Sequence, residues 1–146
     1  MDESRLHVLI GEIYERCLDP KRAPDAGRTI EKALGVGSSI HFLSEQSSGR
    51  MVQLLSASAN FDAKARCDYG AHYHDRNVWF QRALPRRPPV VVRGEELIEE
   101  QDFLRTEFCA DWCSRVDIFH MIGCTYPALG PAVSMRSVPR AIDSTP

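Results

Sequence analysis

The stretch from Tyr69 to Gly123 constrains the fold most, because aromatic side chains recur in it at helical spacing on both sides of a short β-rich run. The spacing predicts a helical region from Phe61 to about Leu84, which the prolines after it bring to an end. A short strand at Val90–Val92 and a second helix from about Glu99 to Ser114 follow. Two ring-bearing helices around a strand predict helices that pack on one sheet.

The rest of the chain supplies two more helices and four more strands. Apolar residues at helical spacing predict a helix over Leu6–Leu18, and a second is predicted from about Pro24 to Leu34. The inward-facing positions of this second helix are Ala26, Ile30, Ala33 and Leu34. The predicted strands are Ser38–Ser44, Met51–Ser58, Ile118–Tyr126 and Ala132–Val138.

These elements do not follow the regular strand–helix alternation of a parallel α/β fold. We therefore expect the α+β class, with a central antiparallel sheet of about five strands and helices packed on it. A chain of 146 residues fits one domain, and we expect residues 1–146 to form it.

Charge and hydropathy narrow the class of protein further. The formal net charge of −2 offers no attraction to the phosphates of nucleic acid. No run of about 18 apolar residues predicts a membrane helix, and the acidic N-terminus lacks the basic region of a signal peptide. We therefore expect a cytoplasmic protein whose cysteines are free thiols; they are Cys17, Cys67, Cys109, Cys113 and Cys124.

The aromatic residues allow two interpretations. Rings with polar tips can line a small-molecule pocket, in which hydroxyl and indole groups supply directional contacts. The same stripes are also what two helices need to pack on a sheet, and the residues alone leave this choice open. The rings concerned are Tyr69, Tyr73, Trp79, Phe80, Phe108 and Trp112.

A second group combines thiols and imidazoles. Cys109 and Cys113 share one face of a predicted helix, and His120 and Cys124 share one face of a predicted strand. Together they make an alternative zinc site or a redox-sensing group, although the spacing differs from the usual C-x2-C and buried cysteines are often simple apolar residues. His72 and His74 point apart on a helix, which favours solvated or capping roles.

The sequence contains no recognisable catalytic motif. A nucleophile elbow, a phosphate-binding loop, a dinucleotide fingerprint and a metalloprotease motif are all missing. No residues converge as nucleophile, base and oxyanion stabiliser, so a non-enzymatic protein without a cofactor is expected.

Three stretches resemble one family, the N-terminal sensor domains of bacterial LuxR-type helix-turn-helix transcriptional regulators. They are IYERCLDPKRAPDA, the segment from Phe61-Asp62 through Y-x3-Y to Val-Trp, and VVVRGEELI followed by FLRTEFCADW. The resemblance covers about residues 8 to 145. It implies a PAS/GAF-like, autoinducer-binding-like fold with a pocket for a small molecule. The family's DNA-binding helices have no counterpart after Met135, so the resemblance implies a sensor domain truncated at its C-terminal helix.

Three residues at two sites depart from the family pattern. Asn77 and Val78 stand where the autoinducer-binding relatives have Asp-Pro, whose carboxylate contacts the amide of the signal. Cys109 stands where the family usually has an aromatic residue. These departures weaken the case for an acyl-homoserine lactone as the ligand.

The resulting hypothesis is a ligand-sensing domain of a transcriptional regulator, in which a small molecule controls dimerisation or DNA binding. The candidate ligand-binding residues are Tyr69, Tyr73, Asn77, Trp79, Phe108 and Trp112. The expected partners are a small molecule and a second copy or a full-length regulator, without direct contact to nucleic acid. The alternatives are a dimerisation module without a ligand and a metal or redox switch built on Cys109, Cys113, His120 and Cys124.

Overall fold

A computed structural model describes residues 2–19, 21–22, 25–35, 37–127 and 132–138, with the backbone alone for Cys17 and for residues 132–138. The helices are α1 (Glu3–Leu18), α2 (Asp25–Leu34), α3 (Ala63–Asp68), α4 (Val78–Ala83), α5 (Glu100–Leu104) and α6 (Ser114–Val116). The strands are β1 (Ile40–Glu45), β2 (Met51–Ala57), β3 (Val90–Arg93), β4 (Ile122–Pro127) and β5 (Ala132–Val138). The predicted mixed α+β class with antiparallel strands is confirmed.

Strand β1 pairs antiparallel with β2, and β3 pairs antiparallel with β4. The backbone of β5 pairs antiparallel with β1 on one side and with β4 on the other, so the order is β2-β1-β5-β4-β3. Burial alternates along β1, where Ile40, Phe42 and Ser44 are buried. Because side chains alternate across a sheet, this periodicity gives the sheet one face that supports the core.

Two N-terminal helices pack against each other. The Asp2 carboxylate caps α1 by accepting a hydrogen bond from the Arg5 backbone N–H at 2.8 Å. Helix α2 ends before Gly35, whose φ of 65° suits the residue after a helix. The prediction that Ala33 and Leu34 face inward is wrong, because both are exposed. Pro24 lies outside the described residues.

The long helix predicted from Phe61 to Leu84 is interrupted. After α3, the chain forms a π-helical turn at Tyr69–Tyr73 and a 3-10 turn at His74–Arg76, and then leaves the helical conformation at Asn77 with ψ at 91°. Asn77 is the N-cap of α4, since its side-chain oxygen accepts a hydrogen bond from the Phe80 backbone N–H at 3.0 Å. Because α4 starts again at Asn77, its aromatic side chains point in a different direction from those before the break.

The second predicted ring-bearing helix, from Glu99 to Ser114, is interrupted in the same manner. Helix α5 ends at Leu104, and a π-helical segment spans Phe108–Cys113 before α6. Thr106 organises the interruption, because its hydroxyl donates to the Phe103 carbonyl at 2.7 Å and accepts from the Cys109 backbone N–H at 3.1 Å. Threonine competes well for such local backbone partners.

The strand predicted from Ile118 begins four residues later. Asp117 adopts the left-handed conformation with φ at 57°, and residues 118–121 run without ladder partners before β4 starts at Ile122. Ile118 and Met121 are nevertheless buried. This irregular segment therefore contributes apolar side chains to the core from between a helix and a strand.

Candidate functional site: an aromatic cavity

The helical segments and one face of the sheet enclose a small cavity, which we call the aromatic cavity. Its volume is about 20 Å³, roughly the room that a single water molecule needs. It is lined by Ile40, Phe61, Tyr69, Asn77, Trp79, Phe108, Trp112, Ile118 and Met121. The cavity is therefore a nearly filled core in this conformation, not an open pocket.

Rings in stacked contact form most of the wall. Phe61 stacks on Trp112 with centroids 5.5 Å apart, and Trp112 stacks on Phe108 at 5.4 Å. Trp79 then meets Phe108 edge-to-face at 5.7 Å. These are favoured aromatic geometries, and each such pair contributes about 0.5–1.5 kcal/mol beyond the burial of its area. The stack joins the start of α3, the Phe108–Cys113 segment and α4.

The polar groups of Tyr69, Asn77 and Trp112 form hydrogen bonds within the core. The Asn77 side-chain amide donates to the Tyr69 hydroxyl at 2.9 Å while its oxygen caps α4. The Trp112 indole N–H donates to the Ala65 carbonyl at 3.1 Å. Burial raises the pKa of the Tyr69 hydroxyl, which therefore stays neutral. The cavity wall is uncharged, so a group bound there should also be uncharged.

All the candidate ligand-binding residues except Tyr73 line this cavity. Tyr73 is half-buried at the edge of the core, where its ring packs edge-on against His72 at 4.8 Å. The π-helical turn changes the direction of the side chains within Tyr69–Tyr73, so Tyr69 lines the cavity while Tyr73 packs beside it. Whether the lining residues bind a ligand stays a prediction.

Four lining residues have no counterpart among the candidates. They are Ile40, Phe61, Ile118 and Met121. Ile40 comes from the buried face of β1, and its position was predictable from the alternation of that strand. Ile118 and Met121 come from the irregular segment before β4, which carries no periodic signal.

His74 corrects the expectation of a solvated or capping histidine. It is buried against Phe42, Tyr69 and Phe80, with ring centroids 4.8, 5.7 and 4.9 Å away. Its Nε2 lies 2.9 Å from the Gly49 carbonyl, so that nitrogen carries the proton and donates. Burial lowers the pKa of His74, which favours the neutral ring. His74 thus ties the helical region to the β1–β2 turn.

The Cys109, Cys113, His120 and Cys124 group does not form a metal centre in the described part of the chain. No three side chains of His, Cys, Asp or Glu there are placed to hold an ion. His120 is exposed and precedes β4, whereas Cys109 and Cys113 are buried. Burial raises the pKa of the Cys109 and Cys113 thiols, and this disfavours the thiolate that redox sensing needs.

Comparisons with solved structures identify the fold. The ligand-binding domain of VqsR from Pseudomonas aeruginosa superposes with a TM-score of 0.71 and 16% identity, over 92% of this chain and 79% of that one. CepR2 from Burkholderia cenocepacia, an N-acylhomoserine lactone dependent LuxR family transcription factor, superposes with a TM-score of 0.65 and 14% identity, over 95% of this chain and 79% of that one. The chain has the LuxR-type ligand-binding fold.

This LuxR-type fold confirms the predicted resemblance at the level of structure. By sequence, no family model matches the chain, and no curated protein matches it. The structural neighbours are regulatory domains and not enzymes. Among the described residues, no helix is long and apolar enough to cross a membrane.

Proposed function

We propose that this chain is a non-enzymatic regulatory domain that binds a small, uncharged organic molecule at the aromatic cavity. The observation that carries the proposal is the convergence of Tyr69, Asn77, Trp79, Phe108 and Trp112 on one buried cavity, within a fold shared with LuxR-type ligand-binding domains. In this proposal a five-stranded PAS/GAF-like sheet forms the wall behind the ligand.

The small volume of the cavity defines how such a sensor would work. Sites for small molecules usually measure about 300–1,000 Å³, so a cavity of about 20 Å³ must open before it can hold one. Opening separates rings that are stacked in the closed form, and the ligand supplies the contacts that replace them. Binding is then coupled to a change between two conformations, which is the requirement for regulating dimerisation or DNA binding.

Thermal unfolding with added ligand tests this proposal. N-octanoyl homoserine lactone is a first probe because CepR2 depends on that class of compound, and 1-naphthol is a neutral flat alternative. A ligand at 100 times its Kd stabilises the folded state by about 2.7 kcal/mol, which raises the Tm by about 5 to 11 °C for a chain of this size.

A matched pair of substitutions locates the binding. Ile118→Phe enlarges a side chain that lines the cavity, whereas Val91→Phe makes a comparable change on an outer position that is 66% exposed. We expect Ile118→Phe to abolish the ligand-induced rise in Tm and Val91→Phe to preserve it. If neither probe stabilises the wild type, or if Ile118→Phe responds as the wild type does, the cavity is not the ligand site.

A dimerisation module without a ligand is the second candidate, and the filled interior favours it. Helix α1 also leaves apolar side chains in solvent, including Leu6, Ile10, Tyr14 and Leu18, and Tyr14 is 68% exposed. Exposed apolar patches of this kind mark protein interfaces. Sedimentation equilibrium of the wild type and of Ile10→Glu, with Val52→Glu on the exposed face of β2 as control, tests it. A dimer that only Ile10→Glu dissociates supports this candidate, and a monomeric wild type contradicts self-association.

A further inference from the structure

A second cavity opens on the other side of Trp79, and we call it the outer recess. Its volume is about 220 Å³, and it reaches the surface. Its walls include Gly94, Glu95, Glu100, Phe103 and His120. Unlike the aromatic cavity, the outer recess therefore carries ionisable side chains beside its apolar ones, with two carboxylates and no lysine or arginine.

Trp79 separates the two cavities. Of the described residues that line either cavity, Trp79 alone lines both. Its indole stacks on Phe103 of the outer recess with centroids 4.3 Å apart, and its edge meets Phe108 of the aromatic cavity at 5.7 Å. One side chain is thus the partition between a buried apolar space and an open, partly polar one.

Trp79 is only 4% exposed, and its indole nitrogen is packed closely against a glycine of the outer recess. The N–H lies against Gly94, where a Cβ atom would stand 2.9 Å from Nε1. Because Gly94 belongs to the wall of the outer recess, this edge of the indole adjoins that recess.

Neither cavity alone matches a ligand of ordinary size, since such sites usually measure about 300–1,000 Å³. If the indole swings aside, the two spaces become continuous and gain the volume that the ring vacates. Trp79 is the second residue of the short helix α4, directly after the break at Asn77.

We propose that Trp79 is a gate, and that the ligand is a neutral amphiphile that spans both cavities once the gate opens. Its flat apolar part lies among the rings of the aromatic cavity, and its hydrogen-bonding head lies beside Glu95, Glu100 and His120. The carboxylates of Glu95 and Glu100 disfavour an anionic head, because like charges repel. This inference rests on the proposed function and adds the access route and the ligand class.

Two probes with the same ring system test the ligand class. N-phenyl-1-naphthylamine is neutral, whereas 1-anilinonaphthalene-8-sulfonate adds one negative charge, and both become fluorescent in apolar surroundings. We expect the neutral probe to bind the wild type at least tenfold more tightly. Replacing both recess carboxylates, Glu95→Gln with Glu100→Gln, should reduce that ratio at least threefold. A ratio unchanged by the double substitution would place the head of the ligand outside the recess and overturn the class.

Stopped-flow association of N-phenyl-1-naphthylamine tests the gate. Trp79→Ala removes the partition, whereas Trp112→Ala removes the same side chain from the same cavity without opening a path to the recess. We expect Trp79→Ala to raise the association rate constant at least tenfold and Trp112→Ala to change it less than threefold. Trp79→Leu and Phe108→Leu form a second matched pair if an alanine variant does not fold.

The outcomes separate this inference from the proposed function. If Trp79→Ala and Trp112→Ala raise the association rate constant equally, ligands reach the cavity by another route. The gate proposal would then be wrong, while the proposal of ligand binding would stand. Failure of the neutral probe to bind the wild type and both variants would contradict the binding cavity itself, and the gate with it. Circular dichroism of each variant confirms that the fold is intact before the rates are compared.

Discussion

Asn77→Ala is expected to destabilise the fold through two separate contacts. The Asn77 oxygen caps α4 at the Phe80 backbone N–H, 3.0 Å away, and its amide donates to the Tyr69 hydroxyl at 2.9 Å. Loss of an asparagine N-cap costs about 1 kcal/mol, and a buried hydroxyl left without its partner costs about 1–3 kcal/mol. We therefore expect Asn77→Ala to lower the free energy of unfolding by about 2–4 kcal/mol.

Two further substitutions separate the contacts. Asn77→Ser keeps a capping oxygen but is too short to reach Tyr69, so it should recover about 1 kcal/mol of the loss. A double-mutant cycle between Asn77→Ser and Tyr69→Phe should give a coupling energy of about 0.5–1.5 kcal/mol. Urea unfolding followed by circular dichroism measures each free energy by linear extrapolation.

A decrease in unfolding free energy below about 0.5 kcal/mol for Asn77→Ala would show that neither contact stabilises the fold, because an ordinary surface substitution has an effect of that size. Equal losses for Asn77→Ser and Asn77→Ala would show that the cap contributes nothing. A coupling energy of zero would show that Asn77 and Tyr69 do not interact in solution. In that case the side chains of Asn77 and Tyr69 would both be available to contact a ligand.

Further predictions concern a buried base, a glycine and the thiols. Burial holds the folded pKa of His74 below the ordinary value of 6.5, so the stability that the neutral ring supports is fully present above about pH 6.5 and is lost as the pH falls toward the folded pKa. His74→Gln should therefore flatten the profile of unfolding free energy below about pH 6.5. Gly94→Ala would place a Cβ 2.9 Å from the neighbouring indole nitrogen and should cost about 1–3 kcal/mol in urea unfolding, whereas Gly11→Ala, which meets nothing within 4 Å, should be neutral or stabilising. Exposed Cys67 should react with iodoacetamide in the native protein while Cys113 reacts only after unfolding, and peptide mapping that finds both modified at equal rates would contradict the burial of Cys113.

Local patterns located most of the secondary structure and missed where it is interrupted. The periods of two and of 3.6 residues predicted α1, β1 and the ring-bearing segments to within a few residues. The breaks at Asn77 and Thr106 were not predicted, because each depends on a side chain that finds a backbone partner only when the neighbouring turn has formed. Burial of His74 was missed for a similar reason, since its partner Gly49 lies in a distant turn.

The candidate site likewise combines residues that the sequence predicted with residues that it did not. The sequence proposed Tyr69, Trp79, Phe108 and Trp112 among its candidate pocket rings, and all four line the cavity. Ile118 and Met121 lie in an irregular segment, where no period indicates which side chains turn inward.

The sequence by itself determined a mixed α+β fold, a set of aromatic residues that either line a pocket or pack the core, and a resemblance to LuxR-type sensor domains. These properties follow from residue types and their spacing along short segments. Only the tertiary structure decided that the cavity is closed to about 20 Å³, that Tyr73 lies outside it and that Trp79 divides it from a larger recess. The physical reason is that a cavity is the space left between side chains from distant segments. Its size depends on how their rings interdigitate, which local periodicity does not encode.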